Sequence, residues 1–314
     1  MSLRGHLRSI LPTVGFAVRL PAAPPARPWS TAMAEDHFGT VALTGRIRVP
    51  HDATALVVVV HGLGGSAESG YVRIAARAVD RLGLACLRLN LRGADGSGED
   101  FYHAGLTADL RAAVADAALV AFSSIHILGY SLGGHLALRY ACEQPDGRLA
   151  SVAAVCAPLD LDAGATHLDR PAMALYRRYL LTRLARMYAP VAARRRLPVA
   201  GEEARRIRFI REWDERIVAP RHGFAGATDY YSRASAGPLL PGLAVPALLV
   251  VAGDDPMVPE AASEPWLQGA SARLRVSRVA GAGHLGFPAD TDLGENAPRG
   301  LLPQLLHWMT AQRP

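Results

Sequence analysis

The sequence predicts an α/β fold: a mostly parallel central sheet covered by helices on both faces, with a helical cap inserted late in the chain. Three observations point there. Apolar, β-branched runs of about six residues recur, as in strands buried on both faces. Amphipathic stretches of about ten to fifteen residues separate them, the alternation in which crossover helices join parallel strands. Between Asp160 and about Pro241 that alternation gives way to helical, arginine-dense sequence.

The elements follow in order. Residues 1–36 carry Arg4, Arg8, Arg19 and Arg27 with no acid before Glu35, and Pro21, Pro24, Pro25 and Pro28 break any helix. They read as a disordered extension, with a targeting leader, or upstream sequence translated ahead of Met33, as the alternatives. The remaining domain, 37–314, opens with Val41–Val49, which alternates as an antiparallel edge strand and ends at the turn Pro50-His51-Asp52. Buried strands are expected at Ala55–Val60, Ala85–Leu91, Ile125–Leu128, Ser151–Cys156, Ala247–Ala252 and Leu274–Val279. Helical periodicity covers Tyr71–Leu82, Leu106–Phe122, Leu136–Cys142 and Leu301–Met309. The cap, about 160–240, contains helices from Met173 to Met187 and from Glu202 to Trp213.

All 34 basic residues are arginine, the formal charge is +6, and half of the residues are apolar. A globular protein with a full core is expected. No run reaches the roughly 18 apolar residues of a membrane span. Cys86, Cys142 and Cys156 stand far apart without metal spacing, which argues for buried, reduced thiols and a cytoplasmic setting. The leader-like start leaves targeting open.

Gly129-Tyr130-Ser131-Leu132-Gly133 lies between an apolar strand and a helix, the G-x-S-x-G arrangement of a nucleophilic serine on a strained turn. Residues two before and two after such a serine must be nearly free of side chain, and Gly129 and Gly133 stand there. A serine hydroxyl needs a base and the base an orienting acid, here in the chain order Ser, acid, His. Asp254 and Asp255 both follow the strand at Ala247. Asp255 is preferred because Asp255 to Pro259 fits D-x-x-V-P, which leaves Asp254 a structural part. His284, flanked by glycines after the last strand, is the base, with a surface loop histidine as the bland alternative. Backbone N–H groups of Leu132 and Leu63, the latter in His61-Gly62-Leu63-Gly64-Gly65, would form the oxyanion hole.

Together these residues resemble the α/β-hydrolase superfamily, and specifically its YheT-like branch of bacterial hydrolases and eukaryotic esterases and phospholipases. The closer match rests on Asn90-Leu91-Arg92-Gly93 with Tyr102-His103-Ala104-Gly105, on Trp213–Phe224, and on Asp229-Tyr230-Tyr231 through Ala234-Ser235. It runs from about residue 38 to the C-terminus and implies Ser131, Asp255 and His284 as the charge-relay positions. The segment between the strand at Ala150 and the cap departs in detail. Arg92, Tyr102 and His103 read as loop braces rather than catalytic groups.

The reading is a serine hydrolase for small-molecule carboxylic esters of short to medium acyl chain, with no metal or organic cofactor. The same triad could serve lipids, phospholipids, thioesters, amides or acyl transfer, and a non-catalytic binding protein is the rival of another class. Nucleic-acid binding is not expected. The arginine-rich cap reads by default as a solvated helix face, with anionic lipid head groups or acidic proteins as the alternative contact. Met173, Leu175, Tyr176, Leu180 and Leu181 are expected on its inner face, with Arg177, Arg178 and Arg183 outward.

Overall fold

The computed structural model describes residues 5–10, 20–35, 39–194 and 197–314. The strands are β1 Arg27–Glu35, β2 Gly39–Arg48, β3 Ala55–Val60, β4 Ala85–Asn90, β5 Ser124–Tyr130, β6 Leu149–Val155, β7 Ala247–Ala252 and β8 Leu274–Val279. They form one eight-stranded sheet in the order β1-β2-β4-β3-β5-β6-β7-β8. The β1–β2 and β2–β4 pairs are antiparallel, and every pairing from β4 across to β8 is parallel.

β3 shows why the β-branched runs read as doubly buried. Leu56, Val58 and Val60 enter one core cluster, whereas Val57 and Val59 enter another on the opposite face. The period-2 alternation of a strand sends successive side chains to opposite layers, so a strand covered twice is apolar throughout. Helices α1 Gly70–Arg81 and α8 Leu301–Ala311 contribute to the Val57 layer. Helices α2 Ala108–Val114 and α3 Leu132–Cys142 contribute to the other. Strand order reverses around β3, since the chain passes to β4 on one side and then returns to β5. A crevice therefore opens at the carboxyl ends of β3 and β5.

The cap consists of α4 Leu161–Leu168, α5 Ala174–Arg194, short turns at Gly201–Ala204 and Ile210–Trp213, a π-helical turn Asp214–Val218, and α6 Ala227–Ala234. Leu180, Leu184, Trp213 and Tyr230 share one apolar cluster with sheet residues such as Leu56 and Leu249, so the cap has no separate core. One more helix, α7 Glu260–Leu267, precedes β8.

Five expectations need correction. Leu274–Val279, expected as a buried strand, is the edge strand β8 at the other end of the sheet, and of its residues only Val279 is buried. Residues 27–35, assigned above to a disordered extension, form the edge strand β1, paired from Arg27 with Ile47 to Glu35 with Gly39. Trp29 anchors it, buried in the core with its indole N–H donating to Asp116 Oδ1 at 3.2 Å. β2 is thus an interior strand, while residues 1–4, 11–19 and 36–38 lie outside the described residues. The helix expected over Leu106–Phe122 ends at Val114, because Asp116 caps a separate 3-10 turn by accepting the Ala118 N–H. The helix expected over Glu202–Trp213 is broken by extended backbone at Phe209 and restarts where Asp169 accepts the N–H groups of Ile210 and Arg211.

The loop brace read from the N-x-R-G motif is a buried ion cluster. Arg92 pairs with Asp109 at 2.7 Å and Asp100 at 3.1 Å, and Arg221 of the cap reaches Asp100 at 3.0 Å. All of these carboxylates are fully buried. Arg92→Met should lower unfolding free energy by about 3–5 kcal/mol in urea denaturation, because it strands the buried Asp109 and leaves Asp100 with Arg221 alone. Adding Asp109→Leu to that variant should restore much of the loss.

Candidate active site

Loops from the carboxyl ends of β3, β5, β7 and β8 meet beneath the cap. Ser131 lies at the β5–α3 corner with φ 50° and ψ −118°, a conformation rare outside glycine. Its N–H donates to the Val155 carbonyl at 2.8 Å and its own carbonyl accepts the His135 N–H at 3.0 Å, so both neighbouring elements hold the strained residue. A Cβ on Gly129 would overlap the Gly133 carbonyl, and one on Gly133 would lie 2.5 Å from the carbonyl oxygens of Val60 and His61. Close packing therefore requires the two glycines that the sequence motif supplies.

The β8 loop folds back on itself through paired hydrogen bonds between Gly283 and Gly286, which puts His284 and Leu285 at its corner. His284 Nδ1 donates to Asp255 Oδ2 at 2.8 Å, and both residues are buried. The other Asp255 oxygen accepts the N–H groups of Met257 and Val258 at 2.8 and 3.0 Å. Of the two aspartates, Asp255 is the one bonded to the histidine, and the D-x-x-V-P turn supplies the donors that aim it. With Nδ1 engaged, the Nε2 lone pair of His284 is the free basic position. Ser131 and His284 line the same cavity, of about 990 Å³. No hydrogen bond joins the serine hydroxyl to the imidazole here; such contacts commonly tighten only with substrate bound.

The β3 loop abuts the serine: a Cβ on Gly62 would lie 3.2 Å from Ser131 Cβ. His61, buried and pulled down to a pKa of about 4 by desolvation, stays neutral. Its Nε2 accepts the Leu91 N–H, so its proton sits on Nδ1 and is donated to the Gly62 carbonyl. Tyr71 accepts the Gly62 N–H at 2.9 Å, Tyr102 accepts the Gly64 N–H at 2.6 Å, and Arg183 Nε donates to the Gly64 carbonyl at 2.8 Å. Between these fixed points the Leu63 N–H has no partner among the described residues. Leu132 opens α3, where first-turn N–H groups lack helical acceptors.

Several of these contacts escaped sequence reasoning. Arg183, expected outward, reaches in to hold the oxyanion-type loop, and Leu175, expected inward, is 78% exposed. Met173, Leu180 and Leu181 are buried as expected. Ser9 Oγ accepts the His284 N–H at 2.7 Å and Arg8 donates to the Gly281 carbonyl at 2.6 Å, contacts with no local signal. Cys156 Sγ lies within 4.8 Å of the His284 and Asp255 donor atoms, but burial and the Asp255 charge hold the thiol protonated. A neutral thiol beside a bonded acid–imidazole pair makes a poor metal site.

The matched family model, described as the alpha/beta hydrolase fold, spans residues 55–290. YheT of Escherichia coli (strain K12) is 32% identical over 255 residues, covering 75% of this chain and 71% of the relative. The chain belongs to the α/β hydrolases, in their YheT-like branch. The monoacylglycerol lipase of Saccharomyces cerevisiae is 27% identical over 66% of this hydrolase, which spans about half (49%) of the yeast protein. Among solved structures, the Pyrococcus furiosus esterase Pf2001 matches with a TM-score of 0.54 at 16% identity, covering 83% of this chain and 84% of that one, a likeness of fold alone.

The W-D and D-Y-Y stretches of this hydrolase meet inside the cap, where Tyr231 donates to Asp214 Oδ2 at 2.7 Å. Burial raises Asp214 from 3.8 to about 7. A raised acid binds its proton more tightly folded than unfolded, so its penalty is absent below the unfolded pKa and complete above the folded one. Folding stability should therefore fall as pH rises from about 4 to 7. Asp214→Asn removes this contribution: relative to wild type, the variant should gain about 4 kcal/mol across that window in urea titrations.

Proposed function

We propose that this α/β hydrolase cleaves carboxylic esters of short to medium acyl chain through Ser131, His284 and Asp255. The observation carrying the reading is the buried His284–Asp255 hydrogen bond opening on the same cavity as a serine in a strained elbow. Ser131 Oγ would attack the ester carbonyl while His284 Nε2 takes its proton. The oxyanion would be met by the N–H groups of Leu63 and Leu132. As the tetrahedral intermediate collapses, the carbon–oxygen bond to the alcohol breaks and the imidazolium protonates the departing alkoxide. Water then repeats the sequence on the acyl-enzyme, and Asp255 steadies the imidazolium throughout.

The cavity is at the upper end of ordinary ligand pockets, with room for an acyl chain and a sizeable alcohol. That size, with a relative named monoacylglycerol lipase, supports a lipid ester as the second reading.

Ser131→Ala should stay folded, lose labelling by a fluorophosphonate probe, and fall by roughly 10³-fold or more in kcat on p-nitrophenyl esters. Unchanged hydrolysis would reject Ser131 as the nucleophile, and a wild type neither labelled nor active would mark a non-catalytic member of the fold. Asp255→Asn should cripple kcat while Asp254→Asn leaves it within a few-fold, and the reverse order would reassign the acid.

The acyl chain is expected against Leu161 and Leu168 of α4, which line the cavity. Across a graded ester series, kcat/KM should rise about fourfold per methylene until the pocket ends and then drop. Leu161→Trp or Leu168→Trp should move the drop to shorter acids with acetate unaffected. A flat profile would remove the cap as selector.

A further inference from the structure

Helix α5 presents an unusual outer stripe. Leu175, Arg178, Tyr179, Thr182 and Arg186 follow the i, i+3, i+4 spacing of one helical face, and all are exposed. The same five residues border the opening of the active-site cavity. Leu175 is 78% and Tyr179 46% exposed, and Ile10 and Leu20, also at the opening, are 41% and 51% exposed. Single exposed apolar residues need no explanation, but a group gathered around one cavity mouth marks an interaction surface. Phe209, a further 46% exposed, lies under Arg177 at the same end of α5.

The charges at the mouth are asymmetric. Several cap arginines are engaged: Arg177 and Arg183 bond to carbonyls, Arg211 pairs with Asp162, and Arg216 pairs with Glu203 and Glu212, whereas the exposed Arg170, Arg205, Arg206 and Arg208 lie outside the cavity lining. The side chains of Arg178 and Arg186 make no hydrogen bond or ion pair among the described residues. Acids near the opening are already committed, Glu68 to Arg46, Arg73 and Arg88, and Asp160 to Trp266 and the Ala163 N–H. The rim therefore offers two free guanidinium groups among apolar side chains. Guanidinium heads suit phosphate oxygens, while Leu and Tyr suit the boundary between head groups and acyl chains.

We propose that the cavity mouth docks on a lipid surface bearing anionic head groups, with the outer stripe of α5 lying along it. An amphiphilic ester could then pass from the lipid into the cavity without crossing water. This names the physical state of the substrate and rests on the ester-hydrolase reading for its purpose. Docking itself is measured without turnover, so the two ideas fail separately.

The test uses the full chain as Ser131→Ala and follows sedimentation with two kinds of vesicle, phosphatidylcholine alone and phosphatidylcholine mixed equally with phosphatidylglycerol. Binding is expected on the mixed vesicles at low salt and should weaken as salt rises. Arg178→Gln with Arg186→Gln should reduce that partition by about fivefold per arginine, roughly 25-fold together. Leu175→Ser with Tyr179→Ser should weaken binding at any salt. With Ser131 restored, both double variants should hydrolyse a water-soluble acetate ester as wild type does, which separates lost docking from lost folding. No binding to the mixed vesicles, or binding that survives both double variants, would overturn the proposal. So would a dimer in light scattering that dissolves in Leu175→Ser/Tyr179→Ser without any vesicle binding, since the face would then belong to a second copy of the chain.

Discussion

The close approach of α3 to the ends of β3 and β5 is the constraint on which the site depends. Gly133 sits against the carbonyls of Val60 and His61 with no space for a side chain, and Gly129 packs as tightly against Gly133. Only this contact lets a non-glycine residue hold a positive φ at position 131. Strain at the serine is balanced by the packing of α3 on the ends of β3 and β5 and by the backbone bonds to Val155 and His135. The result is a hydroxyl lifted from the strand ends, with the first turn of a helix beneath it and a crevice beside it.

Around that corner, loops are fixed by partners far away in sequence. Tyr71 of α1, Tyr102 and Arg183 of α5 hold peptide groups on either side of the Leu63 N–H in the β3 loop. They leave the Leu63 N–H as the donor without a partner in its stretch. Because Arg183 belongs to the cap, the position of α5 and the shape of this loop are mechanically coupled. The β8 loop is steadied in the same way, by Asp255 on the imidazole and by Ser9 on the His284 backbone. A preorganised donor set of this kind needs no rearrangement when charge develops.

The buried charges have a different character. Arg92, Arg221, Asp100 and Asp109 tie the β4 loop, α2 and the cap together in a desolvated cluster. Such clusters rarely add stability over an apolar core, but each member makes the others hard to lose. They set how the cap seats on the sheet. Asp214 is costlier, since its partner Tyr231 is neutral and burial pushes its proton affinity up.

Local pattern carries the parallel sheet and its doubly buried interior strands, and it nominates the three side chains of the candidate triad. Each of these has a short-range signature: continuous β-branched runs, a serine flanked by two glycines, an acid ahead of V-P, a histidine among glycines. The preference for Asp255 over Asp254 rests on one turn spacing, and in that turn the N–H groups of Met257 and Val258 orient the Asp255 carboxylate. What the sequence did not reveal depended on partners brought together by the fold. β1 was hidden because its prolines and arginines resemble those of a disordered leader, while its stability comes from pairing with β2 and burying Trp29. Arg183 and Leu175 traded places for a similar reason: hydrophobicity predicts an inner face, but a helix bordering a cavity has two apolar environments and an opening. Residue types and spacing determined which atoms could do chemistry. Only the tertiary structure decided which peptide groups hold them in place and which face of the cap is left bare, because those contacts join segments that carry no mark of each other.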